Sequence, residues 1–337
     1  QYTISITYLI FCLKIQLSEV TAIAHPNFAL IKYWGKTDSI HNIPAMSSIS
    51  LTVDTLASTT KISQQPQMQE NIWELNGERQ PDLGQLLPTL DYLSKVGEIR
   101  EPCLIQSDNN FPTAAGLASS ASGVASIVVA YNRLFDLGLT NKQMAKAAML
   151  GSGSAPRSLL PGIVLLDIEN QFDCQTLAEP NQWPLSVIVC ITDDQRKTMS
   201  SREGMEISRK TSPLYESWLK VNASHIKRAK KAINERNLRA LGLVAEENCK
   251  QMHEVMRTSN PSINYMTNKT IDCINAIESI RNSGFDLFYT VDAGPQVKII
   301  CKTEDNGLIQ ERVSSLPSVR QTLIANIGYG ARVINEG

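Results

Sequence analysis

The sequence predicts an α+β fold in two parts, residues 1–182 and 183–337, and three observations carry that expectation. In each half the strand-like segments come first and the helical ones later, which is the order of an α+β chain and not of a doubly wound parallel sheet. The composition shifts near Pro180–Pro184, which marks the boundary. Between an extended segment and a strongly helical one lies Asn110–Gly123, NFPTAAGLASSASG, around which the first half is organised. A chain of 337 residues is long enough for one large domain or two fused ones, with a substantial core.

The elements follow from local pattern. Alternation of Tyr2, Ile4 and Ile6 makes Tyr2–Leu17 an opening strand or extension. Its apolar run lacks a basic flank and a cleavage site and is too short to span a bilayer, so the chain is expected to be cytoplasmic. Glu19–Ala24 reads as a strand running into Ala24–Lys36, and Thr37–Pro44 as a polar loop. Ser47–Thr55 alternates Ile49, Leu51 and Val53, a half-buried strand. Lys61–Asn76 reads as further strand and hairpin, closed by the turn signal Asn76-Gly77. A helix is expected over Asp82–Val96 and a strand over Cys103–Ser107. From Gly123, apolar residues at Val124, Ile127, Val128, Tyr131 and Phe135 form one buried helical face. Asn141–Leu150 is a helix with Thr140 as N-cap, followed by the loop GSGSAPRS (Gly151–Ser158) and the strand Gly162–Ile168.

In the second half Ser186–Thr192 is a β-branched strand. Ser212 as N-cap with Pro213 at the first helical position opens a helix to about Asn234. Leu238–Met256 and Thr267–Asn282 are helices, the latter stopped by Gly284. Phe285–Ala293 is a strand with Asp292 at its end. Gly294-Pro295 turns it into the strand Gln296–Lys302, and a helix over Asn306–Leu316 and one final strand complete the chain.

Composition excludes several classes of function. The net charge is −1, whereas general nucleic-acid binding needs many uncompensated Lys and Arg. Cys12, Cys103, Cys174, Cys190, Cys249, Cys273 and Cys301 are odd in number and contain no CxxC pair, the usage of a reducing compartment. The four histidines show no metal-ligand spacing. There is no Walker lysine and no GxGxxG, GxSxG or HExxH pattern.

Three loops carry the unusual residues. In Asn110–Gly123 the small residues let backbone approach an anion, and a helix N-terminus presents free N–H groups; the segment is either a phosphate cradle or a tightly packed helix start. Ser119 and Ser120 either donate to phosphate, or one of them ligates Mg²⁺, or both cap the helix. Arg157 is the one charge in GSGSAPRS and either grips a carboxylate or phosphate in bidentate fashion or forms a structural salt bridge. Asp292 is either a catalytic carboxylate at a strand end or a turn acid. Lys32, Tyr33 and Lys36, with Asn27, either line an anionic pocket or belong to a solvated strand and turn.

Taken together, AHPNFALIKYWGK, NNFPTAAGLASSASG, GSGSAPRS, SSREGM and YTVDAGP stand in the order found in mevalonate diphosphate decarboxylases, and the chain resembles that family of the GHMP kinase superfamily from about Thr21 to Lys302. The resemblance implies a GHMP kinase-like two-domain fold, with a ribosomal protein S5 domain 2-like, ATP-binding N-terminal part and a ferredoxin-like C-terminal part, assembled as a homodimer. The implied reaction is ATP-dependent decarboxylation of mevalonate 5-diphosphate to isopentenyl diphosphate, with Mg²⁺. A sister activity on mevalonate 5-phosphate, a simple 3-kinase and a non-catalytic relative are the competing readings.

By resemblance Asp292 is the catalytic aspartate beside the tertiary hydroxyl, with Lys32 close to it. Arg157 binds the substrate carboxylate, with Ser152 and Ser154 beside it. Tyr33, Lys36, Ser201 and Arg202 hold the substrate's diphosphate, and Met205 is a further substrate-binding residue. Ser107, Asn110, Pro112, Ala115, Gly116, Leu117, Ser119 and Ser120 hold ATP, with Ser119 as the metal ligand. Pro156 stands where the family commonly has Cys or a small residue, and Ile43-Pro44-Ala45-Met46 replaces its more usual Leu-Pro-Thr-Asn.

Overall fold

The computed structural model describes residues 17–111, 117–170, 172–193 and 199–337; the expected opening strand falls almost wholly outside them. The first part contains β1 (Glu19–Ala24), β2 (Asn27–Ile31), β3 (Lys36–Asp38), β4 (Ile43–Pro44), β5 (Ser48–Thr52), β6 (Ser58–Gln64), β7 (Ile72–Leu75) and β8 (Glu78–Arg79). After these come α1 (Leu87–Gly97), β9 (Cys103–Asn109), α2 (Ser119–Leu134), α3 (Asn141–Gly151), α4 (Ala155–Ser158), β10 (Ile163–Asp167) and β11 (Asp173–Ala178). The second part contains β12 (Leu185–Ile191), α5 (Ser201–Thr211), α6 (Tyr215–Asn234), α7 (Leu238–Arg257) and α8 (Asn268–Asn282). It closes with β13 (Leu287–Val291), β14 (Val297–Lys302), α9 (Asn306–Ser314), β15 (Gln321–Asn326) and β16 (Arg332–Glu336).

The strands build three sheets ordered β16-β1-β6-β9-β7-β8, β11-β10-β5-β2 and β13-β14-β12-β15, with β3-β4 as a separate ribbon. All pairs are antiparallel except β7 with β9. Asn76-Gly77 closes the β7-β8 hairpin as its turn chemistry requires, with both residues at positive φ. Thr140 caps α3 in a reciprocal capping box with Gln143, which satisfies two of the N–H groups a helix start leaves open.

The first sheet buries Val20, Ala22, Ile62 and Ile105 against the apolar faces of α1 and α2. The third sheet alternates across both faces, as a strand period of two demands. Val187, Val189, Phe288 and Ile300 join the second sheet, α6 and α7 in one core, while Ile188, Cys190, Tyr289 and Ile299 join α8 and α9 in another. Helix α7 thus lies between the third sheet and β2, and it meets β13 so closely at Gly242 that a Cβ there would stand 2.7 Å from Phe288 Cβ.

Several local expectations are corrected. The Thr37–Pro44 segment is no simple loop, because Lys36 pairs with Pro44 and Asp38 with Ile43. Ser212 and Pro213 do not open a helix: Ser212 terminates α5, its N–H donating to Ser208, and α6 begins only at Tyr215. A residue closing one helix has its backbone committed and is not free to start the next. Gly151–Ser158 contains the single turn α4, with Pro156 at its start, where the missing N–H has no intrahelical acceptor to lose. The chain ends in two strands, not one, and the second, β16, returns across the 182/183 boundary to pair with β1.

Because the α7–β13 contact leaves no room for a side chain, Gly242→Val should destabilise the protein by about 1–3 kcal/mol, measured as a lower midpoint of urea unfolding.

Candidate active site

The two parts enclose a cavity of about 400 Å³. Among the described residues five charged side chains line it, the cations Lys32, Lys36, Arg157 and Arg202 and the carboxylate Asp292. A chain with net charge −1 therefore concentrates positive charge in one cleft, which suits a polyanionic ligand.

Asp292 stands just past β13 and Lys32 just past β2, so an ion pair joins the edges of two different sheets. Lys32 Nζ is 2.5 Å from Asp292 Oδ1 and donates to the Ala29 carbonyl at 2.9 Å. That carbonyl also accepts from Thr290 Oγ1, beside an irregularity in the β2–β5 register between Ala29 and Ile31; local breaks of this kind re-aim groups at strand ends. Lys298, in β14, approaches Asp292 Oδ2 at 3.2 Å. Burial opposes ionisation of Asp292, but the ammonium groups of Lys32 and Lys298 outweigh it and hold the carboxyl well below the ordinary carboxylate range. Its side chain is 25% exposed, towards the cavity it lines. From the other side the Asn248 Oδ1 of α7 accepts the Lys32 backbone N–H at 2.8 Å, and so α7 sets the height of Lys32 over the site.

Arg157 is 2% exposed. Its Nε donates to Ser50 Oγ (2.8 Å), Nη1 to Ser48 Oγ (2.6 Å) and Nη2 to Asn27 Oδ1 (3.1 Å), and the guanidinium lies over the Tyr33 ring. Every one of these acceptors is neutral, and no carboxylate among the described residues pairs with it. Burial lowers its pKa, opposed by the titratable groups of Tyr33, Cys174 and Asp292. A buried guanidinium held by neutral groups is costly, and an anionic ligand entering the cavity would remove that cost. The salt-bridge alternative for Arg157 is thereby excluded among the described residues.

Lys36 and Arg202 mark the other end. Lys36 Nζ donates to Asn42 Oδ1 at 2.5 Å, and Asn42, held at positive φ, donates to the Leu150 carbonyl. Burial, reinforced by the charge of Arg202, lowers the Lys36 pKa to about 8. Ser201 and Arg202 occupy the first turn of α5, with Met205 one turn on. Burial raises the Tyr33 pKa, while Arg157 and Arg202 draw it down. The Tyr33 hydroxyl approaches Gly153 so closely that a Cβ there would stand 2.7 Å from it.

The start of α2 opens onto the same cavity through Leu117, Ala118, Ser119 and Ser120. Ala118 precedes the helix at φ 58° with no side-chain cap among the described residues, and the first turn of a helix presents N–H groups that suit an anion. Hydroxyl contacts link this helix start to the α4 turn, Ser120 Oγ to Ser152 Oγ at 3.4 Å and Ser152 Oγ to Ser154 Oγ at 3.2 Å. Ser119, Ser120 and Gln85 also line an adjoining cavity of about 70 Å³ with Trp73, Ser107 and Asn109. The buried indole N–H of Trp73 has no acceptor among the described residues.

Of the residues expected at the site, Lys32, Tyr33, Lys36, Leu117, Ser119, Ser120, Ser152, Ser154, Arg157, Ser201, Arg202, Met205 and Asp292 line the main cavity and Ser107 the adjoining one. Asn110 lines neither: its amide accepts from Ala57 N–H and donates to the Thr55 carbonyl, bracing the loop. Pro112, Ala115 and Gly116 lie outside the described residues. Sequence reasoning missed Asn42, Gln85, Asn248 and Lys298. Only Lys298 left a signal, a lysine inside the apolar run Val297–Cys301.

Residues 24–178 match the family described as Diphosphomevalonate decarboxylase-like N-terminal domain, and residues 187–328 the Mevalonate 5-diphosphate decarboxylase C-terminal domain. The diphosphomevalonate decarboxylase of Ganoderma lucidum is 33% identical over 315 residues, covering 85% of this chain and 79% of that protein. The crystal structure of mevalonate diphosphate decarboxylase from Staphylococcus aureus superposes with a TM-score of 0.89 at 32% identity, over 95% of this chain and 98% of that one. The MDDEF complex with MVAPP, AMPPCP and magnesium gives a TM-score of 0.88 at 29% identity, over 94% of this chain and 99% of that one.

With a pKa near 8, Lys36 is charged below that pH and neutral above it. Affinity for inorganic diphosphate should therefore fall as pH rises through about 8, and Lys36→Arg should flatten the profile. Calorimetric titration across this range checks both, and a flat profile in the unaltered protein counts against a role for Lys36 in anion binding.

Proposed function

The chain belongs to the diphosphomevalonate decarboxylase family, and from that premise we infer what each part of its cavity does. The protein catalyses the ATP-dependent decarboxylation of mevalonate 5-diphosphate, a step of the mevalonate pathway, giving isopentenyl diphosphate, ADP, phosphate and carbon dioxide. The observation that carries the assignment of residues is the cavity's charge pattern: one ionised acid beside a lysine, a buried arginine with neutral partners, and a second basic cluster at the opposite end.

In this reading Arg157 binds the substrate carboxylate, with Ser152 and Ser154 beside it. Tyr33, Lys36, Ser201 and Arg202 hold the diphosphate, and Met205 covers the chain between them. Two adjacent cations at that end support a substrate with two phosphates over one with a single phosphate. Asp292 then faces the tertiary hydroxyl at carbon 3. The uncapped start of α2 and the hydroxyls of Ser119 and Ser120 receive the nucleotide phosphates. Trp73, Ser107 and Asn109 in the adjoining cavity receive the nucleoside.

The donor set also fits magnesium. Among the described residues no group of three His, Cys, Asp or Glu side chains could hold a metal ion. What the cavity offers instead are serine hydroxyls, with Ser119 the proposed ligand, and Mg²⁺ is commonly carried by few protein ligands plus substrate phosphates. When bound, ATP with Mg²⁺ supplies the γ-phosphoryl group and neutralises part of its charge.

The chain's own residues do the rest. Asp292 accepts a hydrogen bond from the hydroxyl and aligns its oxygen for attack on phosphorus. The O–P bond forms as the bond to ADP breaks, and the hydroxyl proton passes to an oxygen of the transferred phosphoryl group as the hydroxyl oxygen becomes an ester. Asp292 is a weak base, and alignment with charge stabilisation is what phosphoryl transfer mainly needs. The C–O bond to phosphate then breaks with its electron pair. Asp292 faces the positive charge that develops at carbon 3. The bond to the carboxyl carbon breaks, its pair forms the new double bond, and Arg157 releases carbon dioxide in place of a carboxylate.

Residues 1–182 make up the proposed ATP-binding part and residues 183–337 the C-terminal GHMP part. Unpaired cysteines among the described residues support a reducing, cytoplasmic setting, and the family resemblance supports a homodimer. Among the described residues no helix is long and apolar enough to cross a membrane.

Incubation with ATP, Mg²⁺ and carboxyl-labelled mevalonate 5-diphosphate should release labelled carbon dioxide. ADP without released label would identify a 3-kinase instead, and preference for the 5-phosphate a sister decarboxylase. Asp292→Asn should lower kcat by at least about a thousandfold while leaving ATP affinity within about twofold. Undiminished turnover would remove Asp292 from the reaction.

A further inference from the structure

Lys298 does not line the cavity. It lies in the middle of the third sheet, opposite Thr290 of β13 and Val189 of β12, and it is 0% exposed. Its ammonium reaches Asp292 Oδ2 at 3.2 Å and sits 5.5 Å from the centre of the Phe28 ring. Lys32 reaches the other oxygen, Oδ1, from the cavity side. The carboxylate is therefore held at both oxygens, by one cation that faces the ligand and one screened from it.

A lysine buried in a sheet interior carries a heavy desolvation cost. Its strand neighbours Val297, Ile299 and Ile300 are apolar and buried, so packing alone favours an aliphatic residue at this position. What Lys298 adds is charge behind Asp292. The ligands expected here bring a carboxylate, a diphosphate and a triphosphate into the same cleft, and each negative charge favours protonation of Asp292. Lys32, though buried, lines the cavity those ligands enter and divides its donors between Asp292 and the Ala29 carbonyl, whereas Lys298 does not line it.

We propose that Lys298 is a positioning residue for decarboxylation: by holding Asp292 Oδ2 from behind, it fixes the orientation of the carboxylate and keeps it anionic while the substrates occupy the cleft. The inference rests on the reading of Asp292 given above. The other titratable groups facing this carboxylate are Lys32 beyond β2, Arg157 of α4, and Cys249 and His253 of α7. Burial lowers the His253 pKa to about 4 and raises that of Cys249, so both stay neutral near neutrality and leave the two lysines and Arg157 as the positive charges.

The test compares Lys298→Met, Lys298→Gln and Lys298→Arg, with Lys298→Met repeated in Asp292→Asn, each checked for folding by circular dichroism. Loss of Lys298 should lower kcat by about ten- to a hundredfold and leave KM for mevalonate 5-diphosphate within about twofold. The fall of kcat on acidification should begin about one pH unit higher. Lys298→Arg, which keeps the charge, should retain the original acid limb. In Asp292→Asn, removing Lys298 should cause no further loss, because it acts through that carboxylate.

An unchanged kcat and acid limb in Lys298→Gln would overturn the inference, as would equal fold losses in both backgrounds. Should Lys298→Met fail to fold, identical pH profiles for Lys298→Gln and Lys298→Arg would do the same. An inactive Asp292→Asn beside a fully active Lys298→Met overturns only the role of Lys298. A fully active Asp292→Asn overturns the role of Asp292 and this inference with it.

Discussion

The carboxylate of Asp292, gripped by Lys32 and Lys298, is the interaction on which the rest of the site depends. Lys32 follows β2 of the second sheet, while Asp292 and Lys298 belong to the third, so the contact ties two sheets together at the floor of the cleft. Burial of these charges is favourable only because they meet. Removing one member of a buried pair commonly costs about 3–5 kcal/mol, and the geometry is accordingly reinforced by Asn248, by Thr290 and by the Ala29 carbonyl. The two ammonium groups also hold the Asp292 carboxyl well below the ordinary carboxylate range, so that it faces the cavity as an anion near neutral pH.

Around this floor the cavity is zoned by how each cation is satisfied. Arg157 is surrounded by neutral acceptors. Lys36, braced by Asn42, is held near its titration point by burial and by Arg202. The start of α2 offers backbone N–H groups without a cap. These three sets of donors are spaced along one cleft, and the hydroxyls of Ser120, Ser152 and Ser154 link the α2 start to the α4 turn.

Much of this was legible in local pattern. Thr140 and Gln143 form the capping box, Asn76-Gly77 turns its hairpin, and the apolar face from Val124 onward packs on the first sheet. Each depends on neighbours within a few residues. The misreadings arose where one residue had two local options, as with Ser212, which closes α5 and so cannot open α6. The return of β16 to β1 was not legible either, because pairing over that separation is written in neither strand alone.

The sequence by itself determined the types of chemistry present: small-residue loops at helix starts, an arginine among serines, an aspartate at a strand end, and the order of motifs that resembles one family. Those are properties of short segments, and the chain carries them whatever its fold. Only the tertiary structure decided which charges are buried, what they touch and which are left for a ligand. Lys298 and Asp292 lie six positions apart in sequence, yet their meeting depends on the turn between β13 and β14. Arg157 forms no structural ion pair among the described residues because packing brings Ser48, Ser50 and Asn27 to it and no carboxylate. A charge's energy depends on its surroundings in three dimensions, and those are assembled from segments more than a hundred residues apart.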